Sequence, residues 1–221
     1  MGAEIGGRPL VTPILIVLNV LVFVLTAVQA SSVANNQNSE VFTDFKLVPA
    51  AVYLGDWWRL LTSGFLHIGP AHLALNMLAL YVLGRDLEPA FGRVRFLALY
   101  LVSLFGGGVA IYLFGNVLTP VAGASGAVYG LMGAMLVAVL RLKLNPSSAL
   151  AVIGLNVVIS FTLPGISLLG HLGGLVVGAA VAAGMVYAPQ ERRDVWQAAM
   201  VVATVVVLIG LVVVRTAQLG G

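Results

Sequence analysis

The chain has 221 residues, 60% apolar and only 9% charged, with a mean hydropathy of +1.06. A soluble domain carries roughly 25–35% Lys, Arg, Glu and Asp on its surface, so this composition excludes an ordinary water-soluble fold and points to a lipid bilayer as the surrounding medium. The formal charge of +3 is too small and scattered for a nucleic-acid partner, and the absence of cysteine excludes disulfides, thiolate chemistry and Cys-based metal sites.

A membrane span needs about 20 mostly apolar residues to cross ~30 Å of hydrocarbon. The first candidate, Leu10–Ala30, exceeds the ~7–15-residue core of a signal peptide and ends in no clear small-x-small site, so it is expected to be an uncleaved anchor. Met1-Gly2 is not followed by the Ser or Thr of a myristoylation motif, and lipidation there is not expected. Residues 31–69 hold Asn, Gln and three of the eight acidic side chains, but also Phe42, Phe45, Leu47, Trp57 and Trp58. That mixture predicts a folded or interface-lying loop, with the adjacent tryptophans at the headgroup level. Six more spans follow: Pro70–Leu87, Arg95–Phe114, Ala124–Leu142, Ser147–Phe161 (the shortest), Leu168–Ala188 and Val195–Val214. The fold class expected is an all-α, polytopic transmembrane helix bundle. The 26 glycines suit helices that approach closely through small side chains.

Placing the N-terminus inside puts Arg8, Arg85, Arg93, Arg95, Arg141, Lys143, Arg192 and Arg193 on the cytoplasmic side. Lys46, Arg59 and Arg215 are then outside. Eight against three obeys the positive-inside rule, and seven spans leave the C-terminus outside.

All eight acidic residues fall in loops or at span ends, which argues against a pump, channel or ion-coupled transporter. Glu88 is expected to pair with Arg93 or Arg95 at the inner face. The histidines His67, His72 and His171 all lie toward the outer face in this topology. Asn76 follows His72 by one helical turn, on the same face. Ser125 opens a span ending at Arg141, about 24 Å of helix away at 1.5 Å per residue. Separate spans thus bring a Ser, a His and a His/Asn pair to a similar depth. Their joint chemistry is acyl transfer: neutral His takes the proton of a weakly nucleophilic hydroxyl, and donors meet the negative oxygen that forms. His72, Asn76 and the Ser125 N–H are the donor candidates. With no carboxylate in the spans, the expectation is a Ser125–His171 dyad in which packing orients the imidazole, Tyr129 supplying an aromatic face. Singly, each residue has a plainer reading. Ser125 lies in a ridge of Gly123, Gly126, Gly130 and Gly133 that helix packing explains, His171 sits among Gly170, Gly174 and Gly178, and His72 and Asn76 would serve as interhelical cross-links. Matching depth on independent spans favours the joint reading.

The residues Gly123-Ala124-Ser125-Gly126, with His171 on a later glycine-rich span, resemble the GxSG-and-His signature of rhomboid intramembrane proteases. His67-x4-His72-x3-Asn76 resembles the family's second-helix motif, and Trp58-Arg59 its first-loop Trp-Arg pair. Leu87-Glu88-x2-Phe91-Gly92-x2-Arg95-Phe96 resembles the stretch between its second and third helices, and His171 with Gly174 and Gly178 its sixth-helix His and GxxxG. The resemblance implies a rhomboid-like six-helix core over residues 1–189 and an additional seventh helix over 190–221. It implies Ser125 as nucleophile and His171 as general base, then acid, with His72, Asn76 and the Ser125 N–H as oxyanion hole. Tyr129 and Gly123 would pack His171 and line the pocket for the substrate residue before the cut; Trp58-Arg59 would anchor the first loop in the outer leaflet. Substrates would be single-pass membrane proteins, cut near the outer end of their transmembrane helix after a small residue. Neither metal nor cofactor is expected. The compartment expected is a bacterial plasma membrane, with the N-terminus cytoplasmic and the active site toward the outer face. Oligomeric state stays open, since glycine ridges pack within or between chains. The rival readings are a catalytically inactive rhomboid-like binder of membrane proteins, disfavoured by intact Ser125 and His171, and a small transporter or channel.

Overall fold

The computed structural model describes residues 8–162 and 165–220; the expectation for Met1-Gly2 lies outside them. The described residues form ten α-helices: α1 (Val11–Gln29), α2 (Glu40–Phe45), α3 (Pro49–Tyr53), α4 (Arg59–Thr62), α5 (Gly69–Phe91), α6 (Arg93–Phe114), α7 (Ser125–Arg141), α8 (Ser147–Thr162), α9 (Leu168–Val186) and α10 (Arg193–Gly220). There is no strand among them, only an isolated antiparallel bridge between Leu47 and Val121. Each of the seven predicted spans is a helix, and the all-α bundle is borne out. Four helices, α1, α6, α9 and α10, are individually long and apolar enough to cross a bilayer. α5, which carries Arg85, Asp86 and Glu88, qualifies together with the α4 segment, from which it bends by 96°. α7 and α8 are shorter, at 17 and 16 residues.

Burial orders the bundle. In the apolar window of α6 67% of residues are buried, against 17% for α10, so α6 is central and α10 peripheral. α6, α7 and α9 pack through glycines rather than interlocking large side chains. A Cβ on Gly174 of α9 would collide with the Gly126 carbonyl of α7, and one on Gly178 with the backbone of Gly130. One on Gly107 of α6 would lie 2.7 Å from the Gly170 carbonyl oxygen. In lipid, where no hydrophobic force draws helices together, such backbone approach supplies the dispersion contacts that hold them. The outward faces of α1 and α10 expose Leu21, Val28, Val202 and Val206, suited to acyl chains.

Glu88 overturns the expected ion pair. It is 2% exposed, and its carboxylate accepts from the N–H groups of Leu10 (2.6 Å), Val11 (2.8 Å) and Thr12 (2.8 Å) and from Thr12 Oγ1 (2.7 Å). These N–H groups open α1 and have no acceptor within their own helix, so a carboxylate from the end of α5 caps them. Arg95 instead bonds Asp194 and Gln197 of α10, while Arg93 donates to the Arg8 carbonyl at 3.4 Å. α5 passes to α6 through Gly92 alone, at φ +84°, a backbone state that favours glycine. α10 is fixed at both ends: Gln197 Nε2 donates to the Met185 carbonyl (2.7 Å), and the Thr216 hydroxyl lies 2.7 Å from that of Tyr112.

The long first loop is folded. Arg59 Nη1 donates to the carbonyls of Thr43 (2.8 Å) and Lys46 (3.0 Å), and its Nε pairs with Asp56 (2.8 Å). Asn36 Nδ2 donates to the His67 carbonyl at 2.7 Å. Trp57 and Trp58 are half exposed. The loop also grips the approach to α7: Leu47 and Val121 exchange N–H···O bonds of 2.9 and 2.8 Å, and Gly123 N–H donates to the Ser63 carbonyl at 2.9 Å.

Candidate active site

Ser125 is the first residue of α7, reached through Gly123 at φ +132°. That backbone state and the space around it both require glycine: an added Cβ would stand 2.9 Å from His72 Nε2 and 3.7 Å from Ser125 Oγ. His171 lies in the first turn of α9, whose start is set by Ser167; the Ser167 hydroxyl accepts from Gly170 N–H at 3.2 Å. The two helix starts meet because the glycine seam lets α7 and α9 touch along their length. Ser125 Oγ and His171 Nε2 are 2.7 Å apart, hydrogen-bonding distance. The imidazole is 7% exposed, and Tyr129 stacks on it with ring centroids 4.1 Å apart and planes 17° from parallel.

Packing is not all that orients His171. Its Nδ1 lies 2.7 Å from the hydroxyl of Ser160 on α8, a residue the sequence reading did not single out. Ser160 Oγ is also 2.6 Å from the Tyr129 hydroxyl and donates to the Asn156 carbonyl at 2.7 Å. The available signal was two polar residues one turn apart, Asn156 and Ser160, in the interior of α8, which is otherwise apolar from Ala149 to Phe161.

His72 stands on the first turn of α5, beside Gly123. Its Nδ1 accepts from Ile68 N–H at 3.2 Å, so in neutral His72 the proton sits on Nε2, on the side of the ring that faces Gly123. Asn76 is buried, and its Nδ2 donates to the His72 carbonyl at 2.9 Å. The Ser125 N–H belongs to the first turn of α7, where N–H groups have no intrahelical acceptor. His67 is 1% exposed; its Nε2 faces the Ala124 N–H at 3.5 Å, and its ring is 5.1 Å from that of His72. It braces the segment before Ser125 and does not reach Oγ.

A cavity of about 30 Å³ opens beside Ser125 and His171, lined also by Gly123, Gly126, Ser167 and Leu47. It has room for about one water. Gly123 lines it and Tyr129 does not. Among the described residues no three His, Asp or Glu side chains converge on a point that would hold a metal ion. The arrangement is equipped for one kind of chemistry, activation of a hydroxyl nucleophile beside neutral hydrogen-bond donors.

Comparison with known proteins agrees with this architecture. The rhomboid protease GluP of Bacillus subtilis is 35% identical over 212 residues, which is 91% of this chain and 40% of that protein. The rhomboid protease AarA of Providencia stuartii is 28% identical over 215 residues, 85% of this chain and 76% of that protein. The mitochondrial RHOMBOID-like protein 6 of Arabidopsis thaliana is 41% identical over 128 residues, 55% of this chain and 41% of that protein. The chain thus spans less than half the length of the Bacillus and Arabidopsis relatives. The model of the Rhomboid domain matches residues 54–188, a stretch that holds His72, Asn76, Ser125, Tyr129, Ser160 and His171 and leaves α1, α2, α3 and α10 outside. A match over that much of a multi-pass membrane chain places it in the rhomboid family.

Proposed function

We propose that this chain is an intramembrane serine endopeptidase that hydrolyses peptide bonds in or near the transmembrane segment of single-pass membrane proteins. The observation that carries the reading is the 2.7 Å approach of Ser125 Oγ to His171 Nε2 at the meeting of two helix starts. His171 Nε2 takes the Ser125 proton as Oγ bonds to the substrate carbonyl carbon. The oxygen that becomes negative is met by His72 Nε2–H, the Ser125 N–H and the Asn76 amide, acting in a site with little competing water. His171 then returns the proton to the leaving amine, leaving an acyl-enzyme on Ser125. Water entering through the cavity, deprotonated by the same nitrogen, releases the acid and restores Ser125. The tight cavity and Gly123 favour a small residue before the scissile bond. A transmembrane helix hides its carbonyls in hydrogen bonds, so substrates that unwind easily near their outer end are preferred. The named proteases among the relatives and the positive-inside charge placement support this activity in a bacterial plasma membrane, with the site toward the outer face.

The test is cleavage in proteoliposomes. Wild-type protein is expected to cut a single-pass substrate at one site near the outer end of its helix, and Ser125→Ala to leave it intact. Folded wild-type protein that binds but never cuts would replace this reading with that of an inactive binder.

A further inference from the structure

Among the described residues of α8, Ser160 alone is buried, at 4% exposure. Its hydroxyl has three close partners: the Asn156 carbonyl at 2.7 Å, the Tyr129 hydroxyl at 2.6 Å and His171 Nδ1 at 2.7 Å. A hydroxyl has one proton to give and two lone pairs to receive. The Asn156 carbonyl can only accept, so the Ser160 proton goes there. Both remaining partners must then donate, Tyr129 through its O–H and His171 through Nδ1–H. With its proton on Nδ1, neutral His171 presents a bare Nε2 to the Ser125 hydroxyl 2.7 Å away. In the opposite tautomer, Ser160 would have to turn its proton toward Nδ1. Two acceptor oxygens would then face each other at 2.7 Å across the Asn156–Ser160 turn, and Nε2–H would point at the nucleophile it should deprotonate.

We propose that Ser160 is a positioning residue that selects the Nδ1–H tautomer of His171, so that Nε2 is the base. It thereby supplies, with a neutral hydroxyl held by its own helix carbonyl and by Tyr129, the orienting half of what a carboxylate does in a Ser-His-Asp triad. It supplies no charge. The role in turnover rests on the serine-protease reading; the tautomer itself does not.

The two are separable by experiment. In 15N-histidine-labelled protein, with signals assigned by single substitution of each histidine, neutral His171 is expected to carry its proton on Nδ1. Ser160→Thr keeps that state, and Ser160→Val, close in shape to Thr but lacking the hydroxyl, shifts it toward Nε2–H. In turnover, Ser160→Val lowers kcat about tenfold with KM little changed, as expected for the loss of one orienting hydrogen bond, and Ser160→Thr recovers most of the rate. A wild-type His171 protonated on Nε2 overturns the proposal, and so does a Val variant equal to wild type in tautomer and kcat. Should the Val variant fail to fold, the wild-type spectrum decides alone. An Nδ1–H tautomer in a protein that does not cut any transmembrane substrate sinks the protease reading and leaves the tautomer assignment standing.

Discussion

Gly178→Ala tests the link between helix packing and chemistry. Gly178 sits two turns below His171 on α9, and a methyl group there would overlap the Cα, carbonyl carbon and oxygen of Gly130 on α7. Backbone atoms cannot rotate aside as a side chain would, so α9 must retreat from α7 by about 1 Å. Overpacking of this kind costs about 3 kcal/mol, the upper end of the usual range, which lowers the apparent Tm by about 10 °C in a chain of this size. The same retreat stretches the 2.7 Å contact of Ser125 Oγ and His171 Nε2 beyond hydrogen-bonding range. A displacement of about 1 Å in a reacting pair costs on the order of 100-fold in turnover. The control is Gly210→Ala on α10, where an added Cβ meets nothing within 4 Å. Both variants would be followed in detergent by thermal unfolding and by cleavage of a transmembrane substrate. If Gly178→Ala matches Gly210→Ala in Tm and kcat, the glycine seam does not hold Ser125 and His171 together.

Other substitutions probe separate parts. Tyr129→Phe keeps the stack on His171 but loses the hydroxyl that meets Ser160, so kcat should fall a few-fold and Tyr129→Ala should fall further; equal rates would show that the stack contributes nothing. His72→Ala removes the donor proposed to meet the developing charge and should lower kcat about 100-fold with little effect on KM; a pure KM effect would assign His72 to substrate binding instead. Glu88→Gln sets an amide N–H against N–H groups that open α1, so stability should drop by about 2–3 kcal/mol in a chemical unfolding series. Unchanged stability there would mean that the α1 cap is not held by the carboxylate.

The seven long helices were legible because each is a mostly apolar run of at least 16 residues bounded by charge, glycine or proline. Boundaries moved most where tertiary bonds extend a helix: α10 continues past Val214 to Gly220, carrying Thr216 to Tyr112, and α5 runs on to Phe91, carrying Glu88 to the start of α1, while α9 stops at Val186, two residues short of its expected end. The short helices of the first loop were not legible. None has more than six residues, and they are held by bonds from Arg59 and Asn36 to distant carbonyls that no local pattern announces. Glu88 was misassigned for a related reason. The nearest arginines in sequence suggested a local pair, while its partners lie 76 to 78 residues away. At the site, Ser125 and His171 were flagged by motif and depth, and the structure brings them into contact. Ser160 escaped because a serine bonded to its own i−4 carbonyl reads as a solitary polar residue in an apolar helix. Its importance appears only once α8 lies beside His171.

Intact-mass analysis after incubation with a fluorophosphonate, followed by peptide mapping, tests the central claim most directly. Wild-type protein should gain a single adduct on Ser125, and folded His171→Ala protein should gain none on the same timescale. Folded wild-type protein that stays unlabelled, or that is labelled at a residue other than Ser125, would contradict the assignment of Ser125 and His171 as nucleophile and base.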